Sequence, residues 1–446
     1  MSGRSPFADC PKGTLDDRLP PGAVEPFVVA DPVRPGLAAV AWPQDRFRGL
    51  VVGVSRDSGR NWSRVVVPGV SRCTGGRFDY VDDVRLSYGP DGVLHLSAHV
   101  FDGPGTSPSG LIVARSADGG LTWSRPVEVA VSTDARHGNY VGGAIAVDPR
   151  RRGRVYAVVP RITEPTADDE PFRGVTVLAR SSDGGRRWSV SEIHDPGPDR
   201  LTTAHQIQVL PDGTLVDVFT HVDMTGGGQR VTLAAIRSTD QGRTWSRPVT
   251  VAPVHLANVT DPQDAGRPVA YGSALTADVA VDPVTGRLWV VWQDGRFGGE
   301  TSAIALAGSA DGGRTWTAPI KVNATPERIP APNQQAFTAS VEPAGRGAVV
   351  VAYSDFRHND AAASLMTDRW LVRCRPTAAA CSQRRETRLT ASSFDMTRAT
   401  LLTDVGPPGY FLGDYNGLAI TGDTALALFA RPTAGTPGAI FATRTR

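Results

Sequence analysis

The sequence predicts an all-β protein built from repeated antiparallel units, and three observations support this expectation. The octapeptide Ser-x-Asp-x-Gly-x-x-Trp occurs five times, with its tryptophans 61, 65, 57 and 71 residues apart. The copies lie between short apolar runs, as hairpin turns do. The 446 residues include 48 Gly and 35 Pro, which suits a turn-rich β protein. Repetition at this spacing indicates one structural unit per repeat.

The octapeptide has the chemistry of a tight turn. Its copies are Ser55–Trp62, Ser116–Trp123, Ser181–Trp188, Ser238–Trp245 and Ser309–Trp316. The Asp carboxylate can accept backbone N–H groups of its own turn, Gly can adopt a positive φ, and Trp supplies a large apolar surface. Thr precedes three of the tryptophans, but Asn61 and Arg187 precede the others. We therefore expect Asp, Gly and Trp to define the turn and the Thr to be optional.

The octapeptide resembles the Asp-box, or bacterial neuraminidase repeat, and five copies in register resemble the sialidase-like superfamily over nearly the whole chain. The resemblance implies a β-propeller in which the Asp-box is a structural turn on the rim. It also implies a glycoside hydrolase that binds a substrate carboxylate with three arginines. Such enzymes use a Tyr nucleophile activated by Glu, and an Asp as general acid/base, unlike most glycosidases.

The strand count sets the expected number of blades. Six units start near residues 24, 84, 143, 205, 277 and 336, and a partial unit follows at 417–420, 425–430 and 439–443. Residues before Val24 would supply the missing strand of that last unit. The count favours a single propeller of seven four-stranded antiparallel blades, with six as the alternative. We expect an N-terminal segment, 1–23, that closes the ring, and a propeller, 24–446, with the octapeptide hairpins on one face.

Charge and hydropathy restrict the partners. The net charge is +2, from 47 basic and 45 acidic residues, and no basic run resembles a nucleic-acid tract. No apolar stretch has transmembrane length, and residues 1–14 lack the apolar region of a signal peptide. We expect a glycan or glycoconjugate as partner, no nucleic acid and no cofactor. The sequence does not indicate the oligomeric state.

The four cysteines suggest two disulfides. Cys374 and Cys381 have the spacing of the first and last residues of the octapeptide, so a disulfide would replace the turn in that hairpin. Cys10 and Cys73 then form the second pair and tie the N-terminal segment to the ring. Four reduced thiols are the alternative. The disulfides favour an extracellular or cell-envelope location, while the lack of a signal peptide leaves the cytoplasm open.

The expected site lies on the face opposite the octapeptides, where the connections are long and variable. Second strands end there in Asp45-Arg46, in Asp294-Gly295-Arg296 and in Asp355-Phe356-Arg357, and Arg161 ends another. Guanidinium groups at equivalent strand ends can bind one carboxylate bidentately. The adjacent Asp residues would orient the arginines, bind a cation or act as acid or base. The alternative is that these Asp–Arg pairs brace loops between blades.

Further candidates lie where the chain enters the inner strands. Tyr415 is the candidate nucleophile, Asp83 the candidate acid/base, and His205 a candidate substrate-binding residue. Other polar residues at these entries are Asp82, His137, Asn139, Tyr140, Asp278, Gln334 and Gln335. We find no Glu beside an inner strand to activate Tyr415, and Glu170 and Glu300 lie in loops.

Three function classes remain open. The first is a sialidase-like hydrolase of an acidic or polar glycan, with Arg46, Arg296 and Arg357 binding the anion. The second is a non-catalytic propeller that binds a glycan or protein; in its favour, Glu25-Pro26-Phe27-Val28 stands where the family has Phe-Arg-Ile-Pro. The third is a cation-dependent enzyme using Asp45, Asp294 and Asp355, although no His or Cys cluster with metal spacing supports it. Convergence of the three arginines would favour the first class, and separate positions would favour the second.

Overall fold

The computed structural model describes residues 1–445 except 104–107, 134–137, 165–170, 271–272, 299–300, 361, 363 and 403–407. Within these ranges the chain is all-β. The only helical elements described are short 3-10 turns at Arg72–Thr74, Ser273–Leu275, Gly295–Phe297, Ala331–Gln334 and Met396–Arg398. None of the helices in the described part of the chain has the length and apolar character needed to cross a membrane.

The first half of the chain forms four antiparallel meanders. The first two contain β1 (Phe27–Ala30), β2 (Ala38–Gln44), β3 (Gly49–Ser55), β4 (Ser63–Val66), β5 (Tyr80–Tyr88), β6 (Leu94–Phe101), β7 (Ser109–Ser116) and β8 (Val127–Ser132). The next two contain β9 (Asn139–Tyr140), β10 (Ala144–Val147), β11 (Val155–Thr163), β12 (Arg173–Ser181), β13 (Ser189–His194), β14 (Arg200–Val209), β15 (Leu215–Asp223), β16 (Arg230–Ser238) and β17 (Val249–Val254).

The second half continues the pattern with two small hairpins added. Its strands up to the penultimate meander are β18 (Thr260–Asp261), β19 (Asp264–Pro268), β20 (Ala277–Val281), β21 (Leu288–Asp294), β22 (Ala303–Ser309), β23 (Ile320–Lys321), β24 (Ala336–Pro343), β25 (Val349–Asp355), β26 (Met366–Pro376), β27 (Cys381–Arg388) and β28 (Phe394–Asp395). The last strands are β29 (Thr400–Leu402), β30 (Gly409–Phe411), β31 (Gly417–Thr421), β32 (Thr424–Thr433) and β33 (Thr436–Thr445).

The first strand of each meander lies on the inside of a closed ring. These inner strands are β1, β5, β10, β14, β20, β24 and β31; each contacts the next, and β31 contacts β1. They surround a central channel of about 600 Å³. Antiparallel meanders arranged radially around a channel form a β-propeller, which leaves only short, protected strand edges. The expected all-β propeller is therefore confirmed.

Neighbouring sheets pack through both of their faces. In β2, Ala39 and Ala41 belong to the core shared with the second sheet, whereas Val40 and Trp42 belong to the core shared with the last sheet. Side chains along a strand point alternately to opposite faces. A sheet covered on both sides must therefore be apolar at nearly every position, and all residues of β2 are buried.

The expected number of blades is wrong. Five hydrogen-bonded sheets have four or more strands, so neither seven nor six separate four-stranded blades are present. Parallel pairing of Arg173 with Arg200 and of Gly174 with Leu201 joins β12 to β14, which merges two meanders into one nine-stranded sheet. The last sheet has three strands, because the described residues 1–23 contribute a single bridge, at Ala23, and no strand.

The octapeptides form turns with a shared hydrogen-bond pattern. In the second copy, Gly120 N–H donates to Ser116 Oγ at 2.8 Å, and Thr122 N–H donates to Asp118 Oδ1 at 2.9 Å. Trp123 Nε1 donates back to the Gly120 carbonyl at 2.9 Å. The carboxylate thus holds the turn closed, and the indole lies over it.

The residue before the tryptophan contributes more than expected. Thr122, Thr244 and Thr315 each donate Oγ1 to the second oxygen of their Asp, at 2.6, 2.7 and 2.6 Å. Asn61 donates Nδ2 to Asp57 in the same way at 2.7 Å. The backbone and side-chain N–H groups of Asn61 lower the pKa of Asp57 to about 2. A side-chain donor therefore fills this position in four copies, and Arg187 is the exception.

The octapeptide turns pack against the turns that join first and second strands. Ser58 N–H donates to Gly36 O at 2.9 Å, and Gly184 N–H donates to Gly153 O at 2.8 Å. We call this side of the ring the octapeptide face. The opposite side, where the chain enters each inner strand, is called the entry face.

Both expected disulfides are present. Cys374–Cys381 joins β26 to β27 with a Cα–Cα distance of 5.5 Å, and Cys10–Cys73 has a Cα–Cα distance of 5.6 Å. The second bond fixes the N-terminal segment beside the first two sheets.

The N-terminal segment also contacts the last sheet. The Met1 amino group donates to the Ile440 carbonyl at 2.6 Å, and Ile440 N–H donates to Ser2 Oγ at 3.1 Å. Ala23 N–H donates to Gly438 O at 2.9 Å. These contacts connect the two ends of the chain across the point where the ring closes.

Replacing Asp118 by Ala is expected to lower the free energy of unfolding by about 1 kcal/mol, the usual effect of removing a side-chain acceptor of turn N–H groups. Urea unfolding at pH 7 measures the change. Asp423→Ala is the control, because Asp423 is exposed in the turn between β31 and β32 and should change stability by less than about 0.5 kcal/mol. Equal effects of both substitutions would contradict the role assigned to the octapeptide carboxylate.

Candidate functional site

The arginines expected to share one anion lie apart. Arg46 donates Nε to the Asp16 carbonyl of the N-terminal segment at 2.7 Å. Arg296 donates Nε and Nη2 to Asp294 at 2.9 Å each, and Nη2 also to the Pro253 carbonyl. Pro253 belongs to β17, the outermost strand of its meander. Both guanidinium groups therefore bind groups of the chain itself.

Arg357 is held in a third separate place. It donates Nε to Asp355 at 2.7 Å and Nη1 to Glu386 at 2.7 Å, and its Cζ lies 3.7 Å from the centroid of the Trp370 ring. Glu386 is on β27, an outer strand. None of the three arginines lines the central channel. The expected common anion site is therefore corrected: Arg296 and Arg357 pair with the Asp of their own strand end, as the alternative held, whereas Arg46 binds the Asp16 carbonyl.

Three of the remaining strand-end candidates, Arg161, Asp294 and Asp355, bind other side chains of the protein. Arg161 pairs with Glu192 on β13, and burial raises the pKa of Asp45. Asp294 and Asp355 each accept a tryptophan Nε1, at 2.7 and 2.9 Å. They lie on different sheets, so these carboxylates form no common cation site.

His205 is completely enclosed. Its Nδ1 lies 2.7 Å from Asp217 Oδ2, and both side chains are 0% exposed. The pair connects β14 to β15 beneath the inner surface. The structure thus places His205 in the sheet interior rather than at a binding surface.

A different set of side chains meets at the entry face. The Arg85 Cζ lies 3.6 Å from the ring centroid of Tyr415, whose hydroxyl donates to the Val84 carbonyl at 3.5 Å. Asp414 N–H donates to Glu25 Oε1 at 3.4 Å. We call the following residues the entry cluster: Glu25, Asp83, Arg85, Asp414 and Tyr415. The first, second and last sheets supply its members.

Unusual backbone conformations bring the entry cluster together. Glu25 and Asp83 have positive φ values of 54° and 46°. The β5–β6 register shifts between Asp82 and Arg85, as in a β-bulge that redirects side chains. Gly413 has φ 107°, and a Cβ there would lie 2.5 Å from Glu25 Cγ. Non-glycine residues with positive φ often occur at functional sites. The backbone of the entry cluster has two of them, Glu25 and Asp83.

The carboxyl groups of the entry cluster resist ionisation. Burial, followed by the charges of Asp83 and Asp414, raises the pKa of Glu25 well above its usual value. Burial, followed by the charge of Asp82, raises the pKa of Asp83 to about 6. Burial and then Asp83 also raise the pKa of Asp414. A carboxyl with a pKa near 6 is suited to general acid and base catalysis.

Tyr415 is buried beside a cation. Burial raises the pKa of its phenol well above the usual value, and Arg85 works against that shift by favouring the phenolate. The side chain is 7% exposed. Beside it lies a cavity of about 10 Å³, lined also by Arg85, Asp278 and Asp414. A space of this size is about that of one water molecule.

One group in the described part of the chain has the geometry of a metal site. The ligand atoms of Asp82, Asp83 and His99 lie within 4.8 Å of one another. His99 Nδ1 is 2.7 Å from Asp82 Oδ1. Sequence spacing did not reveal this group, because β5–β6 pairing places His99 opposite Asp82. Carboxylate and imidazole ligands of this kind suit a divalent cation.

The structure brings two predicted residues, Asp83 and Tyr415, into one cluster with residues that the sequence did not reveal. The expectation that no Glu lies beside an inner strand is wrong, because Glu25 lies two residues before β1. Its position just before the apolar run 27–30 is the feature of the sequence that could have revealed it. Arg85, in the middle of an inner strand, carried no signal. His137, Glu170 and Glu300 lie outside the described residues.

Comparisons with known proteins identify the fold. No family model and no curated protein matches the sequence. A Hadza microbial sialidase is 18% identical with a TM-score of 0.51, covering 91% of this chain and 76% of that chain. The alpha-L-arabinanase of Penicillium chrysogenum, complexed with arabinobiose, is 16% identical with a TM-score of 0.51, covering 76% and 90% respectively. The chain therefore shares its propeller fold with glycoside hydrolases.

Asp83→Asn is expected to stabilise the protein at pH 8 and to have little effect at about pH 3.5, below the unfolded pKa. Because the folded pKa of Asp83 is about 6, above the unfolded value of about 3.9, the carboxyl favours folding when protonated. That contribution is lost as the pH rises through 6. Asn tolerates the left-handed backbone and removes the charge. The gain at pH 8 should be on the order of 2 kcal/mol, measured by urea unfolding at both pH values.

Asp79→Asn is the matched control, since Asp79 is an acid near the start of the same strand that pairs with Arg72. It should not stabilise the protein at pH 8. Destabilisation by Asp83→Asn at pH 8 would contradict the electrostatic description of the entry cluster.

Proposed function

We propose that this protein is a glycoside hydrolase that acts on an acidic or polar glycan at the entry face. The observation that carries the proposal is the meeting of Tyr415, Glu25 and Asp83 around Arg85. A tyrosine, a partner carboxylate and a carboxylic acid are the group types that the sialidase-like resemblance implies. The propeller fold shared with a sialidase and an arabinanase supports the same reaction class. We also propose that the octapeptides are Asp-boxes and that their role is structural.

In the proposed mechanism, the chemistry divides among three side chains. Tyr415 Oη attacks the anomeric carbon while Glu25 accepts the phenolic proton, a step that requires the ionised form of Glu25 although burial raises its pKa. Asp83 donates its proton to the leaving glycosidic oxygen, so that the C–O bond breaks without an alkoxide. In the second step Asp83 removes a proton from water, which attacks the same carbon; the bond to Tyr415 Oη breaks, and Glu25 returns its proton to the phenolate. Arg85 stabilises the negative charge of the phenolate through its position over the ring.

The proposed substrate class is an acidic or polar glycan, without a particular sugar. Arg46, Arg296 and Arg357 are left out of substrate binding, since their N–H groups bind acceptors of the chain. Arg85 is then the guanidinium available to an anionic sugar. We also propose that the protein works in an oxidising, extracellular or cell-envelope compartment, because such compartments sustain two disulfides.

The alternative function is a non-catalytic propeller that binds a glycan or a protein. Two observations favour it. Arg46, Arg296 and Arg357 lie apart, the outcome expected for a binding propeller. The entry cluster is also enclosed: Tyr415 is 7% exposed, and the adjoining cavity measures about 10 Å³. A sugar ring reaches Tyr415 only if the side chains over it move. A binding protein would need no such movement.

The decisive experiment measures release of a fluorescent aglycone from a panel that includes a sialoside, an arabinofuranoside and glucuronides. We expect the unaltered protein to cleave at least one substrate. Tyr415→Phe removes the nucleophilic oxygen and should lower kcat/KM by at least about 100-fold. Glu25→Gln and Asp83→Asn should each lower it by a factor on the order of 100 to 10,000.

Tyr410→Phe is the matched control. Tyr410 is as buried as Tyr415, and its hydroxyl accepts from Arg267 outside the entry cluster. This variant should retain nearly full activity. If the unaltered protein cleaves nothing in the panel but binds glycans on an array, the alternative function is correct.

A further inference from the structure

The central channel is a second concave site, separate from the entry cluster. It extends to the octapeptide face, where Pro32, Pro149, Pro211 and Pro283 line it. Val284, at the same mouth, is 86% exposed. Towards the entry face, Arg85 lines both the channel and the small cavity beside Tyr415. The channel therefore has a mouth formed by prolines, Val284 and Arg150 on one face and a polar floor in the interior of the ring.

The size and walls of the channel suit a small molecule. Its volume is about 600 Å³, within the range of roughly 300–1,000 Å³ typical of ligand pockets. Apolar residues of the inner strands line it, including Leu86, Ile145, Ile207, Val279 and Leu418. Such pockets usually bind an apolar body and recognise it through a few polar groups.

The polar groups of the floor lack partners. Gln206 is 8% exposed and lines the channel, and its side-chain amide has no hydrogen-bond partner among the described residues. The carboxyl of Glu342 likewise lacks one within that part of the chain. Asp278 accepts Val341 N–H with Oδ2 at 2.7 Å. The Gln206 amide and the Glu342 carboxyl line the channel, and neither is among the fully enclosed polar atoms without a partner, so a ligand in the channel can form the hydrogen bonds that the described residues do not supply.

The nearby cations are committed elsewhere. Arg85 stacks on Tyr415, and Arg369 donates to the Thr338 carbonyl and to Ser354 Oγ. The charge of Asp278 raises the pKa of Glu342, whereas the charges of Arg85 and Arg369 lower the pKa of Asp278. The floor thus has two acidic groups and no guanidinium free to neutralise them.

We propose that the channel binds a small organic ammonium ion from the octapeptide face, with Asp278 and Glu342 holding the ammonium group, Gln206 accepting one of its N–H bonds, and the apolar inner strands enclosing its hydrocarbon body. An ammonium group has three donors, which match these acceptors. Its hydrocarbon part removes the exposed apolar residues of the mouth from water. The inference does not depend on the proposed glycosidase activity: Asp278 lines both the channel and the small cavity beside Tyr415, but the proposed mechanism assigns its steps to Glu25, Asp83 and Tyr415.

The acids of the floor make binding depend on pH. Burial, followed by the charge of Asp278, raises the pKa of Glu342 to about 8, and burial raises the pKa of Asp278 to about 6. An adjacent cation favours the ionised form of both groups. Binding should therefore release a proton from Glu342 near neutral pH and become tighter between pH 5.5 and 8.5. An alkylammonium, with a pKa near the lysine value of about 10.4, remains charged over this range.

Isothermal titration calorimetry with n-hexylammonium chloride tests the proposal on the full chain. We expect saturable binding with one site per chain, and much weaker binding of the matched neutral probe 1-hexanol. At pH 7 the heat should differ between phosphate and HEPES buffers in proportion to their ionisation enthalpies, because a proton is released. The affinity should increase at least about tenfold from pH 5.5 to 8.5.

Variants locate the site. Asp278→Asn keeps an acceptor for Val341 N–H and should weaken hexylammonium binding by about tenfold or more. Glu342→Gln should abolish the buffer dependence of the heat. Glu128→Gln is the control, because Glu128 pairs with Arg77 on the outer surface and should leave binding unchanged.

Absence of hexylammonium binding, equal binding of 1-hexanol, or an affinity that does not vary with pH would overturn the proposal, and these results need no variant to fold. Binding of Ca²⁺ in preference to hexylammonium would also overturn it. Loss of glycosidase activity in Tyr415→Phe with unchanged hexylammonium binding would show that the two sites are separate.

Discussion

Closure of the ring is the constraint on which the rest of the structure depends. The inner strand β31 packs against β1, and Leu426 and Leu428 of the last sheet share a core with Val40 and Trp42 of the first. These contacts join residues that are nearly the whole chain apart. Bringing such distant residues together has a large entropic cost of loop closure. The free energy gained by burying their apolar side chains must exceed that cost. Hydrogen bonds from the N-terminal segment to β33 and the Cys10–Cys73 disulfide reinforce the same junction.

The entry cluster exists only because the ring closes. Glu25 precedes the first inner strand and Tyr415 precedes the last, so they meet only where β1 and β31 pack together. Arg85, from the neighbouring inner strand, lies against both the phenol and the carboxyl groups. It also separates the entry cluster from the channel floor. Arg85 lowers the pKa of acids on both sides, but burial and, in the entry cluster, repulsion between neighbouring carboxylates outweigh this one shared cation, so the pKa values of the acids stay raised.

Most features that the sequence predicted are local in the chain; the Cys10–Cys73 disulfide, which joins residues 63 apart, followed from pairing the two cysteines that remained. The octapeptide turns, the strand pattern and the Cys374–Cys381 hairpin depend on residues within a few positions of one another, so spacing alone revealed them. The arginine site was wrong for the same reason: Asp–Arg repeats at strand ends form local pairs, as Arg296 with Asp294 shows, and need no shared ligand. Glu25 and His99 were missed because a left-handed backbone and strand pairing, which no motif encodes, place them beside Tyr415 and Asp82.

Two groups of carboxyls in the molecule have opposite pH preferences. Octapeptide carboxylates such as Asp57 have a lowered pKa, so they stabilise the fold above the unfolded value near 3.9 and lose that effect as the pH falls towards 2. Asp83, Asp278 and Glu342 have raised values of about 6, 6 and 8, so their contribution is lost as the pH rises through these values. Apolar residues would pack in those interior positions without that penalty. Because the destabilising acids follow the axis of the ring from the entry face to the channel floor, while the rim carboxylates have hydrogen-bond partners, ligand chemistry accounts for them better than folding does.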